Sequence, residues 1–479
     1  MTTLDKDLAS IQEVRTLVAR AKMAQKQIAL LPQEKIDEAI EGLSKIAYEN
    51  AESLAKLAHE ETGYGKWEDK KAKNVLASKT LCEYMRPMKT IGVIEEDPDL
   101  KILKIGTPMG VIAGLIPSTN PTSTVIYKAL IAIKAGNSIV FSPHPAALKC
   151  ITETVHVLRE ACYLHGLPED TISCVTMPTI EATDALMKHA DVNMILATGG
   201  SAMVKAAYSS GTPALGVGPG NVPAYIEKTA DVDVAVARIF KSKQFDYGTV
   251  CASEQSIVTE KCIEQKVREA VIKKGGYFLR GEDLEKVKRI MERPNGGMNP
   301  QIVGRSAQYI AELAGIEIPP QTQLLVSDEP GIGSRFPFSK EKLTQLLGFY
   351  VVNDWQEACE TCIALLENGG LGHSLAIHSN DESIIRAFAM KKPVSRFLVN
   401  TPSTHGAVGL TTGLAPSFTL GCGTVGGSAT GDNVTPLHLI NLRWVAYGLD
   451  EAPEKEASTG ATQDEIAMIC KMVLEQLNR

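Results

Sequence analysis

The sequence predicts an α/β protein of two or three lobes built on parallel sheets. A chain of 479 residues, 44% hydrophobic and 22% charged, can bury a large core but is too long for one compact domain. From residue 111 onward, short apolar runs alternate with helix-length segments, a pattern that calls for parallel strands joined by right-handed crossovers. Before that, residues 8–81 keep the three-and-four apolar spacing of helices.

In that first stretch Ile36, Ile40, Leu43 and Ile46 mark one helix face, with breaks at Leu31-Pro32 and at 63–65. IGVIEEDPDLKILKIG, beginning at Ile91, reads as two short strands about an Asp-Pro-Asp turn. Next come an apolar run at 111–116, a polar loop, a helix at 123–135 stopped by Gly136, and a second run at 138–141. Runs at 171–176 and 192–197 continue the pattern, with helices at 146–165 and 180–189. Parallel sheets bind ligands beyond the carboxyl ends of their strands, which singles out the loops 117–122 and 198–201. A second strand-and-helix set spans 224–397. Residues 406–432, rich in Gly, Thr and Ser, read as loops, and HLINLRWVAYG reads as a late strand. After Asp450 the composition shifts to a linker, EAPEKEASTGATQ. Thr462-Gln463-Asp464-Glu465 then forms a capping box, and Ile466, Ile469, Cys470, Val473 and Leu477 fall on one helical stripe.

A formal net charge of −7, without a long block of one sign, argues against nucleic acid or an anionic membrane as the main partner. The apolar runs 111–117 and 127–133 fall short of the roughly 18–20 residues that span a bilayer. MTTLDKDLAS lacks the charged start and apolar stretch of a signal peptide, so a cytoplasmic protein is expected. Ten cysteines without framework spacing suit a reducing compartment. Cys359 and Cys362 form a CxxC inside a helical segment and are read as structural. His373 and His378 lack companions at metal-ligand spacing and are read as core or loop residues, so no metal site is expected.

Four features carry chemistry. Cys251, in FDYGTVCASEQSIV, sits in a polar loop at an element boundary; composition alone favours an inert buried thiol. Cys422, in TLGCGTVGG, is the rival nucleophile. Asn120, in IPSTNPTST, is either a turn or cap residue before Pro121 or an amide donor for a developing oxyanion. ATGGSAMV follows a strand and opens a helix, so its backbone N–H groups could face a pyrophosphate. It is no GxGxxG, and a plain strand-to-helix turn would look the same.

Asn120, TGGS near 200, LGVGPGNVP near 220, GTVCASEQ and Lys340-Glu341-Lys342-Leu343 occur in an order and spacing that resemble the aldehyde dehydrogenase superfamily. FSPHPAA, GVGPGNVPA, LGHSLAIHS, VNTPSTHGAVG and PSFTLGCGTVGGSATGDNV resemble its CoA-acylating propionaldehyde and acetaldehyde dehydrogenases of bacterial microcompartments, a likeness covering about residues 5–450. The resemblance implies a Rossmann-like dinucleotide-binding lobe (1–90 and 109–220) and an α/β catalytic lobe (221–435). It also implies a small β extension for homo-oligomerisation (91–108 and 436–450). Beyond the linker 451–461, the helix 462–479 resembles an encapsulation peptide that binds a microcompartment shell protein. Carried over residue by residue, the resemblance makes Cys251 the nucleophile and Asn120, with the Cys251 backbone N–H, the oxyanion hole. Pro117, Ser142, His144, Thr198, Gly199, Gly200, Ser201 and Gly218 fall beside the dinucleotide, and Glu341 near the nicotinamide ribose.

The implied reaction is oxidation of a two- to three-carbon aldehyde to acyl-CoA, with NAD as cofactor and coenzyme A as co-substrate. Two departures matter. Hydrolytic members carry a glutamate base where this chain has Gly216, which leaves a thioester waiting for a thiol. Their ribose-holding lysine is also missing from Phe141-Ser142-Pro143-His144, which leaves NAD against NADP open. The alternatives are a hydrolytic dehydrogenase, a CoA-acylating enzyme for a larger aldehyde or semialdehyde, a non-catalytic scaffold, and a cysteine hydrolase.

Overall fold

The computed structural model describes residues 5–293, 297–449 and 462–477. Apolar spacing at the N-terminus lays down the helices Lys6–Ile28, Gln33–Glu49, Ala51–Thr62 and Trp67–Val75. Their buried faces, including Val14, Val18, Ile36, Ile40 and Leu43, pack on the first sheet and its helices. Two strands follow, β1 (Gly92–Asp97) and β2 (Ile102–Pro108), paired antiparallel about the expected turn.

The first α/β layer holds β3 (Val111–Ile116), β4 (Ser138–Pro143), β5 (Ile172–Cys174), β6 (Val192–Thr198) and β7 (Ala214–Val217), all parallel in the order β5-β4-β3-β6-β7. Every residue of β3 and β4 is buried, as expected of strands covered by helices on both faces. The order turns back between β3 and β6, so the loops that leave their carboxyl ends lie side by side.

The second layer holds β8 (Val222–Ile226), β9 (Glu254–Glu260), β10 (Gly276–Phe278), β11 (Leu324–Asp328), β12 (Leu346–Val352), β13 (Gly372–His378) and β14 (Val394–Val399). It too is parallel, in the order β10-β11-β12-β9-β8-β13-β14. A last strand, β15 (Ile440–Ala446), leaves this layer and pairs antiparallel with β2.

Several boundaries differ from the sequence expectation. The helix expected at 123–135 is Pro121–Lys134, because Pro121 takes the first helical position and needs no N–H partner there. The run at 171–176 yields only the three residues of β5, and the helix expected at 180–189 ends at Met187. Cys359 and Cys362 lie buried on the helix Trp355–Glu367. The linker 451–461 falls outside the described residues. Thr462 and Glu465 do make the reciprocal cap, with Glu465 N–H donating to Thr462 Oγ1 and Thr462 N–H to Glu465 Oε2, and the helix Gln463–Leu477 follows. Its apolar residues, among them Ile466, Ile469, Val473 and Leu477, are all exposed. None of the described helices is long and apolar enough to cross a membrane.

Candidate active site

The carboxyl ends of β3, β4, β6 and β7 face the amino ends of β9 and β12 across a cleft of about 700 Å³. Its lining includes Pro117, Asn120, Ser142, His144, Thr198, Gly199, Gly200, Gly218, Cys251 and Glu341. Ten of the eleven expected site residues thus meet in one place although they span more than two hundred positions. Ser201 does not line the cleft; it is the exposed first residue of the helix Ser201–Tyr208.

Cys251 is held at the mouth of a strained loop. Asp246 and Tyr247 both have positive φ, 50° and 48°, and Gly248 follows at 76°. Two consecutive non-glycine residues in the left-handed region persist only where the surroundings enforce them. Here the Asp246 side chain does so. It accepts from the Lys66 N–H (2.8 Å), Lys70 Nζ (3.0 Å), Lys73 Nζ and Thr249 Oγ1 (2.7 Å), and its own N–H donates to Asp69. A turn closed by Ser253 N–H on the Val250 carbonyl then presents Cys251. The neighbouring loop comes so close that a Cβ at Gly220 would sit 2.0 Å from the Cys251 carbonyl oxygen. Only glycine fits there.

Asn120 occupies the cap position of the helix Pro121–Lys134, yet its side chain makes no capping bond. Instead its Nδ2 donates to the Thr249 carbonyl at 2.9 Å, two residues before Cys251, and its Oδ1 accepts from Lys73 Nζ at 2.6 Å. Of the two sequence readings for Asn120, the geometry favours the amide turned toward the cysteine loop.

Electrostatics set the resting state. Burial, then the Glu341 carboxylate and Cys422, push the Cys251 thiol up to about 12. Burial likewise raises Glu341 to about 7, against the Gly220 N–H that donates to it at 3.0 Å. Near neutral pH the thiol is therefore protonated, and Glu341 is the titrating carboxylate close to it. Replacing Glu341 with glutamine removes a negative charge that opposes the thiolate, so Cys251 should titrate lower. Alkylation of Cys251 by iodoacetamide at mildly alkaline pH is expected to accelerate several-fold, since one pKa unit is a tenfold change in thiolate. An unchanged rate would mean that Glu341 does not act on the thiol, and a slower one that it acts as the base for the thiol proton and not as an opposing charge.

Cys422 is 2% exposed, with its thiol turned to the Leu420 carbonyl, and it stands behind the cleft wall rather than on it. Position 216 cannot hold a base for Cys251: a Cβ there would lie 2.8 Å from both Tyr208 and Val204, on the face of β7 covered by the helix Ser201–Tyr208. Two carboxylates, Asp184 and Glu341, line the cleft. His373 is buried as expected, but its Nε2 has no partner and its ring lies 3.1 Å from where a Gly220 Cβ would be. Lys73 and Asp246, which no motif flagged, brace both functional loops. The loop region 406–432 contributes Val408, Phe418 and Leu420 to the lining.

The cleft suits a dinucleotide. Thr198 Oγ1 is buried at its edge without a partner. The helix Ser201–Tyr208 begins with neither a side-chain cap nor an acidic first-turn residue, which leaves its N–H groups available to phosphate. A carbonyl bound here would meet both a thiol and an amide donor, the arrangement of an enzyme that handles acyl groups. Comparison with known proteins gives the family. The aldehyde dehydrogenase family model matches residues 4–288, and the chain belongs to that family. It is 41% identical over 444 residues to the bifunctional aldehyde-alcohol dehydrogenase of Escherichia coli, covering 92% of this chain and 50% of that one. The chain thus spans about half the length of the curated relatives it matches first. Among solved structures it resembles an acetylating aldehyde dehydrogenase from Geobacillus thermoglucosidasius (TM-score 0.92, 49% identity, 95% of this chain and 100% of that one). It also resembles a propionaldehyde dehydrogenase from the fucose utilisation microcompartment of Clostridium phytofermentans (TM-score 0.82, 27% identity, 92% and 98%).

Proposed function

We propose that this protein oxidises a short-chain aldehyde to its acyl-CoA, using a nicotinamide dinucleotide and a thioester on Cys251. The observation that carries this reading is the meeting of Cys251, Asn120 and Glu341 in one cleft with the strand-to-helix turn at 198–200. Glu341 takes the thiol proton as the Cys251 sulfur adds to the aldehyde carbon. The oxygen that becomes an alkoxide is held by Asn120 Nδ2 and the Cys251 N–H. A bound nicotinamide dinucleotide supplies the hydride acceptor, with Thr198, Gly199, Gly200, Ser142, His144, Pro117 and Gly218 holding it. Cys251 is left as a thioester. The thiol of coenzyme A then attacks the thioester carbon, losing its proton to solvent; the same donors hold the second oxyanion, and the Cys251 sulfur departs and takes back the proton held by Glu341.

Two features bear on the substrate. The cleft lining holds no Arg or Lys among the described residues, while Val408, Phe418 and Leu420 contribute apolar surface. That favours an alkyl aldehyde over a semialdehyde, whose carboxylate would go unpaired. The test is a product assay over several aldehydes with NAD or NADP, with and without coenzyme A. The expected result is sustained turnover only with coenzyme A, and at most one equivalent of reduced cofactor per site without it. Free acid formed at the same rate without coenzyme A would overturn the reading in favour of hydrolysis.

The assembly follows the same logic. The sheet β1-β2-β15 leaves Val93, Leu442 and Trp444 exposed, with Leu100, Tyr447 and Leu449 beside them, an apolar surface suited to a second copy of the chain. The exposed stripe of the helix Gln463–Leu477 has no partner surface within the described chain, and a helix of this length is marginal alone in water. It fits a groove in a shell protein, in line with the microcompartment origin of the C. phytofermentans relative. Deleting residues 461–479 is expected to leave specific activity and oligomer size unchanged and to abolish co-purification with shells. Loss of the oligomer on truncation would instead assign the helix to an intersubunit contact.

A further inference from the structure

We infer that Lys73 is a positioning residue that fixes which end of the Asn120 amide faces the reacting carbonyl. The inference rests on the proposed role of Asn120 and extends it to a side chain on a different element, 47 positions away.

A terminal amide can sit in two orientations half a turn apart, and only its NH₂ end can donate to an oxyanion. Something must therefore choose. Lys73, 2% exposed on the helix Trp67–Val75, carries donors and no acceptor, so its 2.6 Å contact can be made only to the Oδ1 end of Asn120. The Thr249 carbonyl is an acceptor only, so its 2.9 Å contact can be made only by the NH₂ end. Flipping the amide would set NH₂ against ammonium and carbonyl against carbonyl, losing two bonds and creating two repulsions. Lys73 and Thr249 thus lock the donor toward the Cys251 loop. Donation to Oδ1 also polarises the amide, which strengthens its other N–H as a donor; that N–H rests on Thr119 Oγ1 at 3.3 Å, a long contact that an oxyanion can displace.

Asp246 keeps Lys73 in place and ties the lock to the nucleophile. The same carboxylate oxygen that accepts from Lys73 accepts from Thr249 Oγ1, and Asp246 begins the left-handed run that presents Cys251. One buried carboxylate, fully screened from solvent, therefore sets both the loop that carries the thiol and the lysine that sets the oxyanion donor. Lys70 offers a natural comparison. It also pairs with Asp246, at 3.0 Å, but its other bond is to the Thr119 carbonyl and not to the Asn120 side chain.

The experiment is a double-mutant cycle with Lys73→Met and Asn120→Ala in the coenzyme A-dependent assay, with kcat and KM measured separately. Lys73→Met leaves Asp246 neutralised by Lys70, so the fold should survive; Lys73→Leu serves in its place if the first variant is insoluble. The expected result is a fall in kcat of about tenfold or more with KM for aldehyde within a few-fold, and little further loss when Lys73→Met is added to Asn120→Ala. Lys70→Met, which removes a lysine from the same carboxylate, should lower the melting temperature comparably while losing much less kcat. A Lys73 variant with wild-type kcat, multiplicative losses in the double variant, or equal kcat losses for the Lys70 and Lys73 variants would overturn the inference. A fully active Asn120→Ala variant would instead bring down the oxyanion assignment on which it rests, so the two failures are distinguishable.

Discussion

Replacing Cys251 with alanine is expected to abolish acyl-CoA formation while leaving the fold and nicotinamide binding in place. No other thiol can substitute. Cys422 is buried behind the cleft wall, and the remaining cysteines among the described residues are absent from the lining. The side chain removed is small and partly open to the cleft, so the variant loses little packing. The carbonyl of residue 251, against which Gly220 packs, is kept. The matched variant Cys422→Ala should retain most of the activity, although its burial predicts some loss of stability. Steady-state rates, a binding titration with reduced cofactor, and mass spectrometry of the trapped acyl-enzyme read the three parts separately. An acyl adduct on Cys422, or turnover by the Cys251 variant, would move the nucleophile.

The order of elements was legible because hydrophobic rhythm depends on local spacing: the change from the helical period before residue 81 to short buried runs after 111 marks the first sheet. Edges were harder to read. β5 is only three residues long: Val175 still donates its N–H to the Phe141 carbonyl of β4, but the residue pairing ends at Cys174, and Pro121 moved a helix start by two positions. Of the expected site, the residues in recognisable motifs, including Cys251, Asn120 and Glu341, come together in one cleft. What escaped was what tertiary contact alone creates. Lys73 and Asp246 lie 173 positions apart and belong to no common motif, and either would pass for an ordinary charged surface residue. Gly216 was misread for a related reason: sequence gives the position in the motif but not which face of β7 a side chain there would occupy. The strain at Asp246 and Tyr247 was equally hidden, since neither residue type announces a left-handed backbone as glycine does.

Asn120→Ala is expected to lower kcat by about 10²–10³, the usual loss on removing one preorganised oxyanion donor. The reason lies in where the amide is aimed. Its NH₂ is held beside the Thr249 carbonyl by Lys73, so it is already oriented before substrate arrives, and only its 3.3 Å contact to Thr119 Oγ1 has to give way when charge develops. In the bound aldehyde the oxygen carries only a partial charge, whereas in the tetrahedral adduct it carries a full one. An interaction that strengthens along this path raises kcat more than it lowers KM. In the proposed mechanism both tetrahedral adducts, the one formed on attack by Cys251 and the one formed on attack by coenzyme A, place an oxyanion in the same hole. The two half-reactions should therefore slow together. Rapid-mixing measurement of reduced-cofactor formation reports the first half, and discharge of a preformed acyl-enzyme by coenzyme A reports the second. A loss confined to the first would mean that Asn120 positions the aldehyde or cofactor rather than holding the oxyanion. A loss confined to KM would mean that it binds substrate and transition state alike.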